Sequence, residues 1–556
     1  MGGHGGSEGA GESDTVAAAL TRAVSQRADA TFFEIDGKPS TFGELDRRAT
    51  RFANELTALG LTKGDRLVTM CETGADAMTA WFATAKLGAV WVPVNLAYRR
   101  EFLRHQICDA GARIAVCDRA YLERIVEIAD QLPDLKLLLC AGDADDLPEC
   151  AIPIRPLDRH RGSNDVPPGV EVGPADLAML IYTSGTTGPS KGCMLSHNYV
   201  CMWGRQQRRA IGLEPGVATF APLPLFHAAS LTALMGGLIA QTRVCLSSKF
   251  SVSSFWDEVE RSGASRLFIM ATMFPLLAHA PDTPAMKRCH GQIQVMMGVP
   301  CPPDIRRIFE RRFGVEHVLP AMYGQTEVQR LTMTPLGQEA PDFSIGRPAD
   351  EHEVAILDEE DRPVPPNTVG EICCRPKHPN VMFEGYWNRP EETRRAWRNL
   401  WMHTGDLGRM DEDGFVYFVD RAKDYLRSRG ENISSFEVEQ TFLSHPAVLE
   451  AALHAASAEL REDDVKITVV LKPEAVVTER ELCLWAIDHL PYFAVPRYFE
   501  FRDELIKNPI GRVMKYRLRE EGVTPATWDR EATDVTVRRR AATPNLQEVG
   551  ENDRGD

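Results

Sequence analysis

The sequence predicts an α/β fold, with a large N-terminal domain of parallel sheets and crossover helices and a small α+β domain at its C-terminal end. Short apolar runs alternate with amphipathic helical patterns up to about residue 140, as parallel sheets require. A chain of 556 residues is too long for one ordinary core. The pattern changes near residue 420 and becomes polar near 522. We therefore expect a disordered segment (1–14), a large domain (15–420), a small domain (421–521) and a disordered tail (522–556).

The first elements set the α/β pattern. A capped amphipathic helix is predicted after Thr41, because apolar residues follow at spacings of three and four until Gly60. The neighbouring predictions are helices over Thr15–Ala28 and Ala75–Leu87, strands over Thr31–Ile35 and Arg66–Cys71, and an apolar run over Gly88–Val94. Their apolar faces predict a packed core and no chemistry.

Composition restricts the class of partner and the compartment. The formal net charge of −16 argues against nucleic acid as a general partner, since phosphate binding needs a basic face. The thirteen cysteines form no CxxC pair and no zinc-type spacing, which predicts reduced thiols and a cytoplasmic protein. No apolar run reaches the roughly 18–20 residues of a membrane-spanning helix, so none is expected.

One stretch, Tyr182–Gly192, is rich in groups that bind phosphate. It holds three glycines, five Ser or Thr hydroxyls and one lysine, directly after the apolar run Leu177–Ile181. A Walker loop is excluded because two residues separate Gly188 from Lys191. The alternative is a solvated Ser/Thr/Gly turn. The composition favours a loop that binds a polyphosphate at the end of a sheet.

This stretch resembles the signature [ST]SG[ST]TGxPKG of the adenylate-forming superfamily, which contains acyl-CoA synthetases, adenylation domains of peptide synthetases and luciferases. Pro189 and its neighbour trade places here. The sequence as a whole looks most like the acyl-CoA ligases of the carnitine-CoA or medium-chain type. The resemblance implies an ATP-binding enzyme whose small domain is mobile. It places the ATP phosphates on Thr183, Ser184, Gly185, Thr186, Thr187, Gly188 and Lys191.

Three further motifs resemble the family in order and spacing. In "MYGQTEV", the resemblance implies that Tyr323 and Gly324 border the purine, Thr326 contacts a phosphate and Glu327 holds Mg²⁺. In "WMHTGDLG", Asp406 is expected to accept the ribose hydroxyls. The adenine-side turn corresponds to Gly298, Val299 and Pro300. The alternative for "MYGQTEV" alone is a strand followed by a polar turn, and the alternative for Asp406 alone is an acidic residue in a tight turn.

His227 lies between a Pro-rich extended segment and an apolar helix. In the resembling family the matching histidine borders the carboxylate substrate, whereas the alternative is a hydrogen-bonded histidine at a helix start. The resemblance also places Arg421 near the ribose and phosphate and Lys423 at an interdomain hinge. We therefore expect domain rotation between two states.

Two positions depart from the family pattern. Arg512 stands where the family has a lysine that bridges the substrate carboxylate and the α-phosphate, with Lys507 and Lys515 nearby as stand-ins. Arg429 precedes Gly430 where thioester-forming relatives have two small residues beside the pantetheine tunnel. Arg429 could block the thiol or bind the phosphates of coenzyme A.

The leading hypothesis is an ATP- and Mg²⁺-dependent ligase that converts a small carboxylic acid to an acyl-adenylate and passes the acyl group to coenzyme A. The runner-up is an adenylating enzyme with another acceptor, such as an amine, a carrier-protein thiol or nitrite in diazotisation, which Arg429 and Arg512 favour. A catalytically silent nucleotide-binding protein is the third. The sequence leaves the identity of the acid open.

Overall fold

The computed structural model describes residues 13–143, 145–157, 162–183, 190–270, 273–299, 301–421, 426–428, 431–456, 464–491, 494–507 and 513–537. The chain divides into two compact units, Met1–Phe418 and Val419–Asp556. It passes from the first unit to the second within strand β22 (Val416–Arg421).

The first sheet of the large unit has seven strands in its described part. They are β1 (Thr31–Ile35), β2 (Lys38–Thr41), β10 (Thr219–Phe220), β11 (Val244–Leu246), β12 (Arg266–Phe268), β13 (Val295–Met297) and β14 (His317–Leu319). Their order is β14-β13-β12-β10-β11-β1-β2, and only β2 is antiparallel to its neighbour.

The second sheet also has seven described strands. They are β3 (Arg66–Met70), β4 (Val90–Pro93), β5 (Ile114–Asp118), β6 (Leu137–Ala141), β7 (Ile154–Pro156), β8 (Leu177–Thr183) and β9 (Lys191–Ser196). The order is β7-β6-β5-β3-β4-β8-β9, in which β8 and β9 form an antiparallel pair at one edge. This pair flanks the predicted phosphate loop.

Helices cover and join these sheets, as parallel strand order requires. They are α1 (Val16–Arg27), α2 (Phe42–Ala58), α3 (Ala75–Leu87), α4 (Arg100–Ala110), α5 (Arg119–Val126), α6 (His197–Ile211), α7 (Ala228–Ala240), α8 (Phe255–Ser262), α9 (Met273–Ala278), α10 (Pro284–Arg288) and α11 (Pro303–Arg312). Helix α6 is buried over most of its length, and it packs against α7.

Short antiparallel sheets complete the large unit. One consists of β15 (Met322–Tyr323), β16 (Thr332–Met333) and β17 (Arg347–Pro348). The other consists of β18 (His352–Leu357), β19 (Gly370–Pro376), β20 (Trp397–Arg398) and β21 (Trp401–Met410), with β22 paired to β21. Helix α12 (Pro390–Ala396) precedes β20.

The small unit is an α+β domain with its own apolar core. Its elements are β23 (Leu426–Ser428), β24 (Glu431–Ile433), α13 (Ser435–Leu443), β25 (Val448–Ala456), β26 (Asp464–Leu471), α14 (Glu479–His489), β27 (Tyr498–Phe501), α15 (Lys515–Glu521) and β28 (Trp528–Asp529). The main sheet has the order β25-β26-β27-β28.

The predicted α/β class is confirmed, and several predicted elements match closely. Thr41 caps α2 through a complete capping box, and Thr478 does the same for α14, because each hydroxyl accepts from the N3 amide. The expected tail from 522 is wrong for its first part: Trp528 and Asp529 pair with β27, which buries part of this polar stretch. Asp14, assigned to a disordered segment, is buried and pairs with Arg22.

No helix in the described part of the chain is both long and apolar enough to span a membrane.

Candidate active site

The two ends of the phosphate-loop stretch lie side by side. Thr183 ends β8, Lys191 begins β9, and the two residues face each other as the last pair of the antiparallel ladder. Nε2 of His105 lies 2.8 Å from the Ser190 carbonyl oxygen, which fixes the end of the stretch. Ser184, Gly185, Thr186, Thr187 and Gly188 lie outside the described residues.

The outer edge of β9 pairs with the segment around Tyr386. The Met194 amide donates to the Gly385 carbonyl at 2.9 Å, and the Trp387 amide donates to the Gly192 carbonyl at 2.8 Å. This pairing places the Lys191 Nζ atom 4.7 Å from the centre of the Tyr386 ring, within range of a cation–π contact. Lys191 is thus oriented by an aromatic face and not by a carboxylate in the described chain.

Glu327 contacts the hydroxyl of the same tyrosine. The Tyr386 hydroxyl donates to Glu327 Oε1 at 2.7 Å, and the Phe383 amide donates to the Glu327 carbonyl at 3.0 Å. Burial and the Glu327 carboxylate raise the pKa of Tyr386, so its phenol stays a hydrogen-bond donor at neutral pH. We call Lys191, Glu327 and Tyr386 the Glu327 cluster. It combines a cation and a carboxylate that is 8% exposed.

A tight backbone approach holds the turn that carries Thr326. An added Cβ on Gly324 would lie 1.8 Å from the Gln329 carbonyl oxygen, so no larger residue fits without moving the backbone. The Tyr199 hydroxyl donates to the Thr326 carbonyl at 3.0 Å and accepts from the Gln329 amide at 2.6 Å. The buried helix α6 therefore pins both sides of this turn.

Tyr323 and Asp406 are joined directly. The Tyr323 hydroxyl donates to Asp406 Oδ2 at 2.6 Å, and the Gln325 side-chain amide donates to the same oxygen at 2.8 Å. Gln325 also donates to the Thr404 carbonyl at 2.8 Å. Asp406 is 2% exposed. The structure thus brings together two motifs that are about eighty positions apart in the chain, as expected for one binding site.

A second buried polar group supports the strand that carries Asp406. His403 Nδ1 lies 2.8 Å from Glu371 Oε2 and 3.3 Å from Cys373 Sγ, and the three groups lie close enough to ligate a metal ion. The Glu371 carboxylate also accepts from the Gly405 amide at 2.9 Å and pairs with Arg398. Burial raises the pKa of Cys373. These hydrogen bonds join the three side chains within the sheet.

Gly298 and Val299 follow β13. A Cβ on Gly298 would lie 2.6 Å from the Ile269 carbonyl oxygen, which explains the glycine, and Pro300 lies outside the described residues. His227 is the N-cap of α7, since its Nδ1 accepts from the Ala229 amide at 3.2 Å. Burial lowers the pKa of His227, which favours the neutral ring. The capping alternative weighed from the sequence is therefore realised, and it leaves Nε2 for another contact.

The predicted residues of the small unit are only partly described. The Arg421 amide donates to Asp420 Oδ1 at 2.7 Å, whereas Lys423, Arg429, Gly430 and Arg512 lie outside the described residues. The two stand-in lysines are already engaged. Lys507 pairs with Glu450 at 2.6 Å, and Lys515 pairs with Glu439 at 2.8 Å.

Sequence reasoning missed Tyr386, Tyr199 and Gln325, although each contacts a predicted site residue. Tyr386 lies in the aromatic stretch "FEGYW", whose pairing with β9 has no local signal in the sequence. Gln325 lies within the "MYGQTEV" motif, so its position in that motif is the one signal by which the sequence could have identified it.

Comparisons with known proteins identify the family of the chain. The family described as "AMP-binding enzyme" matches residues 20–387, and its C-terminal domain matches residues 437–512. A long-chain-fatty-acid–CoA ligase of Escherichia coli is 31% identical over 90% of this chain and 93% of its own length. A crotonobetaine/carnitine–CoA ligase of Citrobacter koseri is 30% identical over 86% and 93%.

Solved structures share the fold. ATP-bound MatB from Rhodopseudomonas palustris has a TM-score of 0.79 at 27% identity, covering 91% of this chain and 98% of its own. An anthranilate CoA ligase in complex with anthranoyl-AMP has a TM-score of 0.83 at 23% identity, covering 91% and 97%. Since the first family match alone spans more than half of the sequence, this chain belongs to the AMP-binding enzyme family and is an AMP-forming ligase of the acyl-CoA synthetase type.

Proposed function

We propose that the chain activates a carboxylic acid with ATP as an acyl-adenylate and then transfers the acyl group to coenzyme A. In the first step a carboxylate oxygen attacks the α-phosphorus and pyrophosphate leaves. In the second step the coenzyme A sulfur attacks the acyl carbon and AMP leaves. The protein's part in both steps is positioning and charge neutralisation.

The observation that carries the proposal is the Glu327 cluster at the mouth of the phosphate-loop stretch. Lys191 would neutralise phosphate charge and Thr183 would donate its hydroxyl, since both lie at the closed end of the β8–β9 pair. Glu327 fits Mg²⁺, because it offers carboxylate oxygen and is oriented by Tyr386. When bound, the ion would supply further neutralisation of the phosphates.

The nucleoside end would use the Tyr323–Asp406 pair. Asp406 would accept the ribose hydroxyls and Tyr323 would stack on the purine, with Gly324 and the turn at Gly298, Val299 and Pro300 on the adenine side. In the present structure Asp406 accepts from Tyr323 and Gln325. Ribose hydroxyls would join or replace these donors, which keeps the buried carboxylate hydrogen-bonded throughout.

On the acid side, His227 would border the substrate while its other nitrogen caps α7. The small unit would bring Arg512 to the reacting carboxylate in the first step and the edge with Arg429 and Gly430 in the second. Arg421 would contact the nucleotide, and Lys423 would act as the hinge. Lys423→Pro, measured in separate assays of the two half-reactions, should impair one far more than the other. Equal losses of activity in both half-reactions would show that Lys423 is not the hinge.

The acceptor is tested by omission. The protein is incubated with ATP, Mg²⁺ and a panel of acids, with and without coenzyme A, and nucleotides and products are identified by mass spectrometry. We expect AMP and pyrophosphate as products, with the acyl-CoA formed only when coenzyme A is present. ADP and phosphate as main products would overturn the proposal, and an acyl-adenylate that coenzyme A does not consume would favour an amine, a carrier thiol or nitrite instead.

A reducing compartment such as the cytoplasm fits the thirteen cysteines, all of which are free thiols.

A further inference from the structure

A buried arginine lies among the elements that carry the residues of the proposed acid and adenine site. Arg330 is 1% exposed and follows the "MYGQTEV" motif by two positions. Its Nη2 atom donates to the Gln207 carboxamide oxygen, and its Nε atom lies 3.1 Å from the Met322 sulfur. Thioether sulfur is a weak acceptor, so this guanidinium is held mainly by one neutral amide.

Buried donors remain in this group. Arg330 Nη1 and the side-chain nitrogen of Gln207 are both buried without a hydrogen-bond partner among the described residues. Arg330 also forms no ion pair within the described chain. Native proteins rarely leave such donors unsatisfied, because each costs the free energy of its lost hydration. Two touching side chains that each offer a free donor indicate a place for an acceptor.

The charges around Arg330 leave a net positive value. The charges of Arg209 and Glu351 both act on Arg330, and the Glu351 carboxylate is paired with Arg209. Burial would raise the pKa of Glu351, but Arg209 lowers it overall, so this carboxylate is ionised. Burial lowers the pKa of Arg330 to about 9, which still leaves it protonated at neutral pH. The neighbouring His352 is buried, and its pKa is lowered by that burial, so it adds no charge.

Every element that holds Arg330 also carries a residue of the proposed site. Met297 precedes Gly298, and Met322 precedes Tyr323. Gln207 lies on α6, whose Tyr199 pins the turn at Thr326. The preceding Gln329 donates to Thr232 on α7, the helix that His227 caps. Arg330 therefore lies among the elements that carry the proposed acid and nucleotide residues.

We propose that Arg330 and Gln207 form a subsite for a second anionic group of the acid, so that the enzyme activates dicarboxylic acids. The proposal rests on the acid-activating function above and names its substrate class. A carboxylate is the acceptor that suits both free donors, since it can take a guanidinium and an amide N–H together. The same cation would repel an acid that carries a quaternary ammonium group.

The test compares acids matched in length. Pyrophosphate release is measured for succinate against butyrate, adipate against hexanoate and terephthalate against benzoate, with γ-butyrobetaine as the cationic acid. We expect the best diacid to exceed its matched monoacid by at least about thirty-fold in kcat/KM, because the monoacid leaves the buried cation unpaired. Arg330→Met should remove this preference, and Arg330→Lys should keep part of it.

Arg266→Met is the matched control. Arg266 is equally an arginine in the core, but its guanidinium donates to the Ile211 carbonyl at 2.8 Å and to Gln294 at 2.8 Å, away from the residues of the proposed site. This variant should keep the diacid preference even if it is less stable. Arg330→Met should be as thermostable as the parent or more so without ligand, since it removes an unpaired buried charge.

A binding measurement separates the two proposals. Thermal shift with each acid alone, without ATP, should show stabilisation by a diacid that Arg330→Met abolishes. If monoacids are activated as well as diacids, the subsite is wrong and the ligase function stands. If a diacid binds through Arg330 but no acid releases pyrophosphate, the subsite stands and the ligase function fails. A parent protein that no diacid stabilises, or a preference that survives in Arg330→Met, overturns the subsite.

Discussion

The phenol of Tyr386 donates its proton to the carboxylate of Glu327 at 2.7 Å, while the face of the same ring receives the Lys191 ammonium at 4.7 Å. One aromatic side chain thus contacts both a carboxylate and a cation, each through a different part of the ring system. An ion pair between them would consume the charges that a triphosphate and its metal need. The tyrosine keeps both groups available.

Replacing Glu327 with Gln should slow pyrophosphate release strongly, because a neutral amide holds a divalent ion poorly. The activation free energy should rise by several kcal/mol at most. The measurement is the rate of pyrophosphate release across a Mg²⁺ titration. Tyr386→Phe is the companion variant, since it removes the donor and keeps the ring. It should have a smaller effect, seen mainly in the Mg²⁺ dependence. If Glu327→Gln released pyrophosphate at the parent rate, Glu327 would not be part of the site.

Gly324→Ala should lower both nucleotide affinity and thermal stability, since its new methyl group would meet the Gln329 carbonyl oxygen and displace the turn. The loss of stability should be in the range of about 1–3 kcal/mol that overpacking costs. Gly74→Ala is the control, because the nearest atom to its Cβ would be 3.6 Å away. Equal behaviour of the two variants in unfolding and nucleotide titrations would show that the Gly324 turn is loose.

His227 can be divided into its two roles. His227→Asn keeps a side-chain acceptor for the Ala229 amide, and His227→Ala removes it. The alanine variant should lose about 1 kcal/mol of unfolding free energy more than the asparagine variant. If the ring also borders the acid, both variants should raise KM for the acid alike. An unchanged KM in His227→Asn would leave only the capping role.

Arg512→Ala should slow acyl-adenylate formation by roughly ten- to a thousand-fold, as expected for removing one charge-stabilising donor. The reaction of a preformed acyl-adenylate with coenzyme A should change little, and Arg512→Lys should retain or raise activity. Lys507→Ala is the control, since that lysine is held by Glu450. Single-turnover assays of each half-reaction measure this. A normal rate in Arg512→Ala would transfer the role to another cation.

Acid should destabilise the large unit through His197. Burial lowers the pKa of His197 to about 4, whereas the unfolded chain titrates near 6.5. Between these values the unfolded state binds more protons, so stability falls as pH falls, by about 3 kcal/mol over the whole window. His197→Gln should flatten this part of the pH–stability curve, measured by denaturant unfolding. His279→Gln, at an exposed position, is the control. If the pH–stability curve of His197→Gln ran parallel to that of the parent, His197 would not be the group responsible.

Local signals in the sequence predicted the parts of the fold that depend on neighbours in the chain. Helix Ala75–Leu87 and strand Thr31–Ile35 match the structure at both ends, because their periodicity and flanking turn residues define them. Thr183 and Lys191 were found for the same reason, since the loop signature is contiguous. Strand lengths after residue 210 were harder to predict, as strands of two or three residues carry no clear period.

The contacts that complete the site depend on distant pairings and had no such signal. Tyr386 reaches Glu327 because its segment pairs with the free edge of β9. Tyr199 reaches the Thr326 turn because α6 is buried beneath it. Arg330 reads in the sequence as an ordinary polar residue, and its unusual state follows only from full burial. Such features require the tertiary structure.

The pairing of β9 with the Tyr386 segment also has a consequence for synthesis of the protein. Lys191 and Tyr386 are about two hundred positions apart, so the ribosome completes the first long before the second emerges. Until then the edge of β9 is unpaired, and the nascent chain has no assembled grip for ATP. Nucleotide therefore cannot stabilise the early folding intermediates, and we expect the edge of β9 to stay open to pairing with other chains until the Tyr386 segment emerges.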